Sequence, residues 1–352
     1  MSFSSSCPRV RYRIFHATDL HFHVRPSWKQ ILFEPKRWIG MFNLHVMGRA
    51  KTFSFDVQSS IINEVHRHQP DHVIITGDLT TIATEEEFQL AQQTLKPLLT
   101  KQSQPSLALA HSPSPSSSSS SNSFISYLIR GNHDVYTKTS ASMKLFEKYF
   151  GDFRCKTAEL MKIAPGLSIF ALDPCQPTSL GSNGNYSEKQ LQSLESTLAA
   201  AASPQSLILL LTHYPILDRS GRDYQSVYPW HGASNNKKLI EILRNNFHPN
   251  LLALHGHDHH GYHTKFKQNE NDDKSQSFPI YNPGSSGRSF QSNKRAAAYN
   301  LYTVEKLNDG ENISQSNSAH VHVMNGWSVT CERFLHTGAI WERESEPYKT
   351  NI

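Results

Sequence analysis

The sequence of 352 residues has few cysteines and no long apolar runs. Its four cysteines are widely scattered, without the spacings that are typical of zinc sites or redox-active pairs. We therefore interpret them as free thiols in a reducing compartment. No apolar stretch approaches the roughly 20 residues that a membrane-spanning helix needs. These two absences argue against a disulfide-stapled or membrane-spanning protein, and they predict a cytoplasmic one.

An excess of one charge sign is also lacking. The chain has 35 lysines and arginines against 30 acidic residues, which gives a formal net charge of +5. This small excess indicates no clear nucleic-acid partner. No internal repeat is visible, and the oligomeric state is left open. Histidine, in contrast, is abundant, with 20 residues.

The patterning predicts one domain over residues 10–335, with tails at 1–9 and 336–352. Strand and helix patterns alternate, and a strand-rich region follows residue 278, which indicates two packed mixed sheets flanked by helices. A Pro/Ser-rich tract at 101–123 interrupts this pattern. Its composition predicts a flexible surface insertion within the domain.

Five short blocks of carboxylate, amide and imidazole side chains each follow an apolar run that is typical of a strand. They are Asp19-Leu20-His21, Gly77-Asp78, Gly131-Asn132-His133-Asp134, His213 and Gly256-His257-Asp258-His259. Open α/β sheets place their chemistry at such strand ends. Mixed oxygen and nitrogen ligands suit borderline divalent cations. Each block alone is common, but the five together, in order and each behind a strand, predict a metal centre.

The same blocks resemble the pattern D-x-H, G-D, G-N-H-[DE], H and G-H-x-H of the calcineurin-like metallophosphoesterase superfamily. Their contexts (ATDLHFH, IITGDLT, LIRGNHDVY, LLTHYP and ALHGHDHH) are most similar to its cyclic-nucleotide phosphodiesterase-like branch. The resemblance runs from about Arg11 to Cys331. It implies a four-layer α/β/β/α sandwich, in which two mixed sheets are flanked by helices.

The resemblance also implies two divalent metal ions. The first would be bound by Asp19, His21 and His259, the second by Asn132, His213 and His257, with Asp78 bridging both. In the D-x-H and H-x-H patterns the two ligands are two positions apart. Alternation along an extended segment would turn both members of each pair toward the same side. Manganese, iron and zinc all suit such ligands, so the identity of the metal stays open.

A hydroxide held between two such ions would attack phosphorus in line. His133 lies beside Asn132 in the sequence without being an implied ligand, so it is the candidate general acid that protonates the leaving group. Asp134 would orient its ring. His23 continues the alternation from His21 and is a candidate contact for the substrate phosphate. Arg130, at a position where the family often has proline, is a second candidate, with a structural role equally open.

Residues 24–55 combine lysine and arginine with tryptophan, phenylalanine and methionine, partly at helical spacing. This segment is interpreted as a lid or pocket wall, because cations bind phosphate and aromatic rings stack on bases. A helix packed on the sheet edge is one alternative, and an interfacial amphipathic helix that associates with a membrane is another.

The favoured function is a phosphodiesterase acting on a small, nucleotide-like phosphate ester. The alternatives are a phosphomonoesterase or protein phosphatase, a hydrolase of lipid-linked phosphates, a DNA nuclease, and a non-catalytic scaffold. A nuclease would call for a broad basic groove, which the sequence does not show. A scaffold would be indicated by loss of Asp78 or His133, and both are present.

Overall fold

Two mixed β-sheets form the centre of the protein. The computed structural model describes residues 10–27, 34–42, 49–99, 124–179, 181–201, 206–290, 296–308 and 319–348. Within these ranges the strands are β1 (Arg11–Ala17), β2 (His72–Thr76), β3 (Ile125–Ile129), β4 (Leu160–Ala164), β5 (Leu167–Ala171), β6 (Gly184–Asn185), β7 (Leu207–Leu211), β8 (Ala233–Ser234), β9 (Leu251–Leu254), β10 (Tyr262–Lys267), β11 (Ser277–Asn282), β12 (Ala298–Lys306), β13 (His320–Met324), β14 (Trp327–His336) and β15 (Trp341–Arg343).

The first sheet has the order β13-β14-β12-β1-β2-β3, with β15 paired to β14. The second has the order β10-β11-β9-β7-β5-β4, and β6 and β8 form a separate two-stranded ribbon. In the first sheet β1, β2 and β3 are parallel, and in the second β5, β7 and β9 are parallel. Their carboxyl ends therefore lie at one edge of each sheet.

Helices cover the outer face of both sheets. They are α1 (Pro35–Met41), α2 (Phe55–His68), α3 (Glu85–Leu95), α4 (Lys138–Ser142), α5 (Leu145–Phe150), α6 (Glu188–Ala200), α7 (Tyr224–Val227) and α8 (Asn236–Asn245). Short 3₁₀ turns occur at Arg49–Thr52, Lys96–Leu98, His133–Val135 and Gly151–Phe153. No helix among the residues described is long and apolar enough to span a bilayer.

Three apolar cores establish the layers. One joins α2, α3 and α5 to the first sheet, through residues such as Val65, Phe88 and Phe146. A second, between the two sheets, contains Ile74 and Leu209 among others. The third packs α6 and α8 on the second sheet. Helix, sheet, sheet and helix thus follow one another, and the predicted α/β/β/α sandwich is confirmed.

The domain continues past residue 335. β15 extends the first sheet, the indole of Trp341 donates a hydrogen bond to Ser60 Oγ at 2.8 Å, and Tyr348 is buried. The predicted tail at 336–352 is therefore wrong up to residue 348, because burial of these two aromatic side chains holds the segment on the fold. The predicted tail at 1–9 and the predicted insertion at 101–123 lie outside the described residues.

Candidate metal centre

Four side chains from three loops converge between the carboxyl edges of the two sheets: Asp19, His21, Asp78 and His259. One ligand atom of each lies within 4.8 Å of the others. His259 Nε2 lies 3.0 Å from His21 Nε2 and 3.4 Å from Asp19 Oδ1. His21 Nε2 lies 3.7 Å from Asp78 Oδ2. This first group offers the mixed oxygen and nitrogen atoms that a borderline divalent cation prefers.

A second group adjoins the first and consists of Asp78, His213 and His257, again within 4.8 Å. His213 Nε2 lies 3.4 Å from Asp78 Oδ2 and 3.1 Å from Asn132 Oδ1. His257 Nδ1 lies 2.9 Å from the same amide oxygen. Asp78 belongs to both groups, so its carboxylate has the position that a bridge between two cations requires.

The ring nitrogens of three histidines are oriented by backbone carbonyls. His21 Nδ1 lies 3.2 Å from the Thr80 carbonyl oxygen, and His213 Nδ1 lies 2.7 Å from that of Thr76. His257 is held the other way round, with Nε2 2.7 Å from the His231 carbonyl oxygen. A carbonyl only accepts, so each of these nitrogens carries a proton, and the other nitrogen of the ring is the one that can ligate a cation.

One carboxylate oxygen also points to a missing partner. Asp19 Oδ1 is buried, and within the described ranges no donor forms a hydrogen bond with it. Buried polar atoms are almost always paired. A cation beside the His21 and His259 nitrogens would supply this oxygen with a partner. The orphan oxygen and the three fixed tautomers show that these residues fit a two-cation site.

The electrostatics of the metal-free site centre on Asp78 and His213. Burial alone would raise the pKa of Asp78, but the imidazoles of His213, His133 and His21 lower it well below its ordinary value. Burial likewise opposes a charged His213, yet Asp78 raises the pKa of this histidine to about 9. The pair is thus ionic without metal, and a cation that binds there displaces a proton.

The backbone around the ligands is unusual. Asp19, His21, Asp78 and His257 have φ of 52°, 54°, 55° and 69°, in the left-handed region. Non-glycine residues adopt this region at a cost of about 1–3 kcal/mol each, and such residues cluster at functional sites. The ligand segments are therefore not extended strands, and simple alternation is the wrong reason for the convergence of their side chains.

Two glycines allow the loops to approach. A Cβ at Gly131 would overlap the carboxylate of Asp78, and one at Gly256 would overlap Thr18 Oγ1 and Asp19 Oδ2. The backbone amide of His257 also donates a hydrogen bond to Asp19 Oδ2 at 3.0 Å. The glycines of the third and fifth blocks are thus needed because ligand side chains pass directly over them.

His133 lies at the edge of the centre, half-buried. Its backbone amide donates to Asp78 Oδ1 at 2.8 Å, and its ring packs edge-on against His21 with centroids 4.9 Å apart. Its Nδ1 atom lies 2.5 Å from the Thr81 carbonyl oxygen, and its ring stacks on Tyr136. The ring is thus oriented by a backbone carbonyl and an aromatic neighbour.

Asp134 has a different role from the predicted one. Its Oδ2 accepts a hydrogen bond from the Gly131 amide at 2.8 Å, and its Oδ1 accepts from the Thr80 amide at 3.0 Å. Burial, reinforced by the Asp78 carboxylate, raises the pKa of Asp134 to about 7. One carboxylate oxygen thus closes a turn within the third block, and the other ties this block to Thr80, just after the second block. The prediction that Asp134 orients the His133 ring is wrong, because that ring contacts the Thr81 carbonyl instead.

The two candidate phosphate contacts, Arg130 and His23, have surroundings that do not support that role. Arg130 Nε lies 2.5 Å from Asp173 Oδ2, and its Nη1 lies 3.4 Å from Glu147 Oε1. These ion pairs support the structural role of Arg130. His23 is half-buried, and the left-handed backbone of His21 breaks the alternation on which its prediction rests. Of the residues described, neither lines the cleft over the metal centre.

A cleft of ≈ 490 Å³ opens over the metal centre. Asp78, Asn132, His257 and His259 form its floor, together with His133. Sequence reasoning missed most of its other walls, which include Tyr136, Ser182, Tyr224, His231 and His260. Only the predicted pocket wall at 24–55 found part of them, since Lys36 and Ile39 of α1 line the cleft. Residues 28–33 and 43–48 of that segment lie outside the described ranges.

Comparison with known families identifies the family of this chain. Residues 12–261 match the sequence model of the calcineurin-like phosphoesterases. The chain belongs to this family. With the two ligand groups, family membership makes it a metal-dependent phosphoester hydrolase with two divalent metal ions. The cyclic-nucleotide phosphodiesterase-like branch stays a prediction.

The chain is similar to several solved structures. PhoD is similar over 97% of this chain and 73% of its own, with 10% identity and a TM-score of 0.53. A dimetal phosphatase from Danio rerio is similar over 84% of this chain and 95% of its own, with 13% identity and a TM-score of 0.49. A purple acid phosphatase from yellow lupin seeds is similar over 84% of this chain and 51% of its own, with 12% identity and a TM-score of 0.47. No curated protein sequence shows a significant match.

Proposed function

We propose that the chain is a phosphodiesterase that hydrolyses small, nucleotide-like phosphate esters in the cytoplasm. The observation that carries the proposal is the cleft over the metal centre, with its volume of ≈ 490 Å³. Ligand pockets of about 300–1,000 Å³ hold small molecules. The cytoplasmic location is supported by Cys155, Cys175 and Cys331, which are buried free thiols.

The charge of the cleft favours a diester. Among the described residues that line it, Lys36 is the only lysine or arginine. Burial lowers the pKa of Lys36 to about 8, so it is still mostly charged at neutral pH. A phosphodiester carries one negative charge, whereas a monoester carries about 1.5–2 at pH 7. One ammonium group beside the two metal ions suits the single negative charge of a diester better than the larger charge of a monoester.

The shape of the cleft favours an aromatic leaving group or base. Tyr136 and Tyr224 both line it: Tyr136 stacks on His133, and the Tyr224 ring lies near that of His257, with centroids 6.3 Å apart. Aromatic stacking contributes about 1–3 kcal/mol per base and tolerates different bases. These rings therefore support a nucleotide-like ester.

The roles of the residues follow from their positions. Asp19, His21, Asp78, Asn132, His213, His257 and His259 would hold the two cations. When bound, the cations supply Lewis-acid activation of the phosphoryl group and of the attacking water. His133, at the edge of the centre and open to the cleft, protonates the departing oxygen. Lys36 holds the negative charge of the diester.

Hydrolysis of bis-p-nitrophenyl phosphate and of p-nitrophenyl phosphate tests the proposal, with manganese added to metal-stripped protein. We expect a higher kcat/KM for the diester, and loss of both activities in Asp78→Asn. Lys36→Gln should raise KM for the diester. A preference for the monoester would contradict the proposed phosphodiesterase and indicate a phosphatase.

A further inference from the structure

A second cavity lies on the outer side of the second sheet, away from the metal centre. Its volume is ≈ 760 Å³, against ≈ 490 Å³ for the catalytic cleft. One wall is β10, one is α8, and the third is the loop over residues 217–226. Buried Leu217, Ile240 and Phe266 are among its lining residues. We call this cavity the basic groove.

The groove is much more basic than the chain as a whole. Five lysines and arginines line it, against two carboxylates, whereas the entire sequence has 35 against 30. The cations come from all three walls: Arg222, Lys237, Arg244, Lys265 and Lys267. A concave surface with one sign of charge concentrates ligands of the opposite sign.

Three of these cations are partly neutralised and held in place. Arg222 pairs with Asp218, with Nη2 2.9 Å from Oδ2, and Lys267 Nζ lies 2.7 Å from Asp273 Oδ1. Arg244 pairs with Glu270, and its guanidinium lies 5.9 Å from the centroid of the Phe266 ring. Such contacts reduce the freedom that a bound anion would otherwise have to remove.

The other two cations are available to a ligand. Lys237 on α8 and Lys265 on β10 are exposed, and neither forms an ion pair within the part of the chain that the structure describes. Both line the cavity, Lys237 from α8 and Lys265 from β10. A ligand that contacts both must carry at least two anionic groups or one extended charge.

The groove is separate from the catalytic cleft. The loop that forms its third wall lies between the two cavities: Asp223 lines the groove, whereas the next residue, Tyr224, lines the cleft. Asp223 is fixed there because its Oδ1 accepts hydrogen bonds from the Gln225 amide at 3.1 Å and from Asn236 Nδ2 at 2.6 Å. No side chain assigned to the metal centre lines the groove.

We propose that the basic groove binds a small oligoanion of the polyphosphate class, at a site distinct from the metal centre. Lys237 and Lys265 bind its terminal charges, and the ion-paired Arg222, Arg244 and Lys267 line the rest of the site. The proposal is independent of the diester specificity of the cleft.

Calorimetric titration of the metal-loaded protein with inorganic tripolyphosphate tests the site, at 0.15 M salt so that distant charges are screened. Lys237→Gln/Lys265→Gln removes the two available cations. Lys162→Gln/Lys306→Gln is the matched control, because it removes the same charge from two exposed lysines outside the groove. Polyphosphate also binds metal centres, so Asp78→Asn is titrated in parallel to identify the component that belongs to the cleft.

We expect one binding component to survive in Asp78→Asn and to weaken about tenfold in the groove variant but not in the control. Hydrolysis of the test diester without tripolyphosphate should be the same in the groove variant and the parent. Equal weakening in both double variants, or a single component that vanishes with Asp78→Asn, would overturn the proposal. A folding defect in the groove variant is detected by its thermal midpoint, and Lys265→Gln alone then replaces it.

Discussion

His21 and His259, 238 residues apart in the sequence, bring their Nε2 atoms to within 3.0 Å of each other. His21 donates its Nδ1 proton to the Thr80 carbonyl, so its Nε2 carries a lone pair. Two nitrogen ligands about 2.1 Å from one cation would lie about 3–3.5 Å apart. A cation bound by both rings would therefore account for their close approach.

Substitution of Gly256 by alanine should disrupt the first cation group without touching a ligand. The new Cβ would overlap Thr18 Oγ1 and Asp19 Oδ2, so Asp19 must move. We expect loss of at least one bound metal and of most diesterase activity, with the far-ultraviolet circular dichroism unchanged. Metal content by plasma mass spectrometry is the measurement. Gly151→Ala is the control, because its Cβ meets only Glu147 Cβ, at an ordinary 3.9 Å. Full metal content in Gly256→Ala would refute the close-packing argument.

His133→Ala should keep both metals and slow the departure of poor leaving groups. His133 is not a member of either cation group, and general acids typically contribute about 10²–10⁴-fold. We expect that loss with alkyl esters and a much smaller one with p-nitrophenyl esters, whose leaving group needs no proton. Rates against leaving-group pKa provide the test. A uniform loss across all esters, or loss of metal, would exclude the general-acid role.

Asp134→Ala should destabilise the protein. Its carboxylate accepts hydrogen bonds from the Gly131 and Thr80 amides. Buried donors left without acceptors cost about 1–3 kcal/mol each, so we expect a loss of about 3 kcal/mol in the free energy of unfolding. Asp134→Asn keeps one acceptor oxygen and should lose less. Urea denaturation measures both. Unchanged stability with an altered leaving-group dependence would restore the role that the sequence predicts for Asp134.

His72 should make the fold sensitive to acid. It is buried between the rings of Tyr12 and Tyr127, and burial lowers its pKa to about 4. The unfolded chain takes up a proton near pH 6.5 and the folded chain does not, so stability is full above pH 6.5 and falls as the pH drops toward 4. At pH 5 this amounts to about 2 kcal/mol.

His72→Phe should therefore gain about 2 kcal/mol relative to the parent between pH 7 and pH 5. Denaturant melts at both pH values provide the comparison, with exposed His66→Gln as a control that leaves the difference unchanged. A constant difference between His72→Phe and the parent would show that His72 is not kept neutral by burial.

Much of the fold could be predicted from local patterns. The strands before each block end where the apolar runs end, and α3 begins with a capping box of Thr84 and Glu87, whose residue types and spacing are local sequence signals. Strand β10 has a weaker signal in the sequence, because only Tyr262 and Phe266 of its six residues are buried. The chain beyond 335 was missed because Trp341 and Tyr348 are isolated aromatic residues in a polar stretch.

At the site, residue types were predictable and contacts were not. The ligands could be named because carboxylate, amide and imidazole groups follow strands in the order of the family motif. The partners of Asp134 and Arg130 could not, since they depend on loops 43–54 residues away in the sequence. The sequence also contains no local signal for the left-handed backbone of His21. That backbone removes the basis for predicting His23 as a contact for the substrate phosphate.

The most direct test of the two-cation centre is the metal content of Asp78→Asn together with its turnover of bis-p-nitrophenyl phosphate. Asp78 is the only side chain common to both cation groups among the residues described. Changes outside the ligand shell already cost about 10–100-fold in metal affinity or activity, and a bridging ligand should matter more. We therefore expect two metals per chain in the parent, fewer than two in Asp78→Asn, and at least a 100-fold loss of turnover, with exposed Asp272→Asn behaving like the parent. Two tightly held metals and parental turnover in Asp78→Asn would contradict the bridging role of Asp78 and the account of the centre built on it.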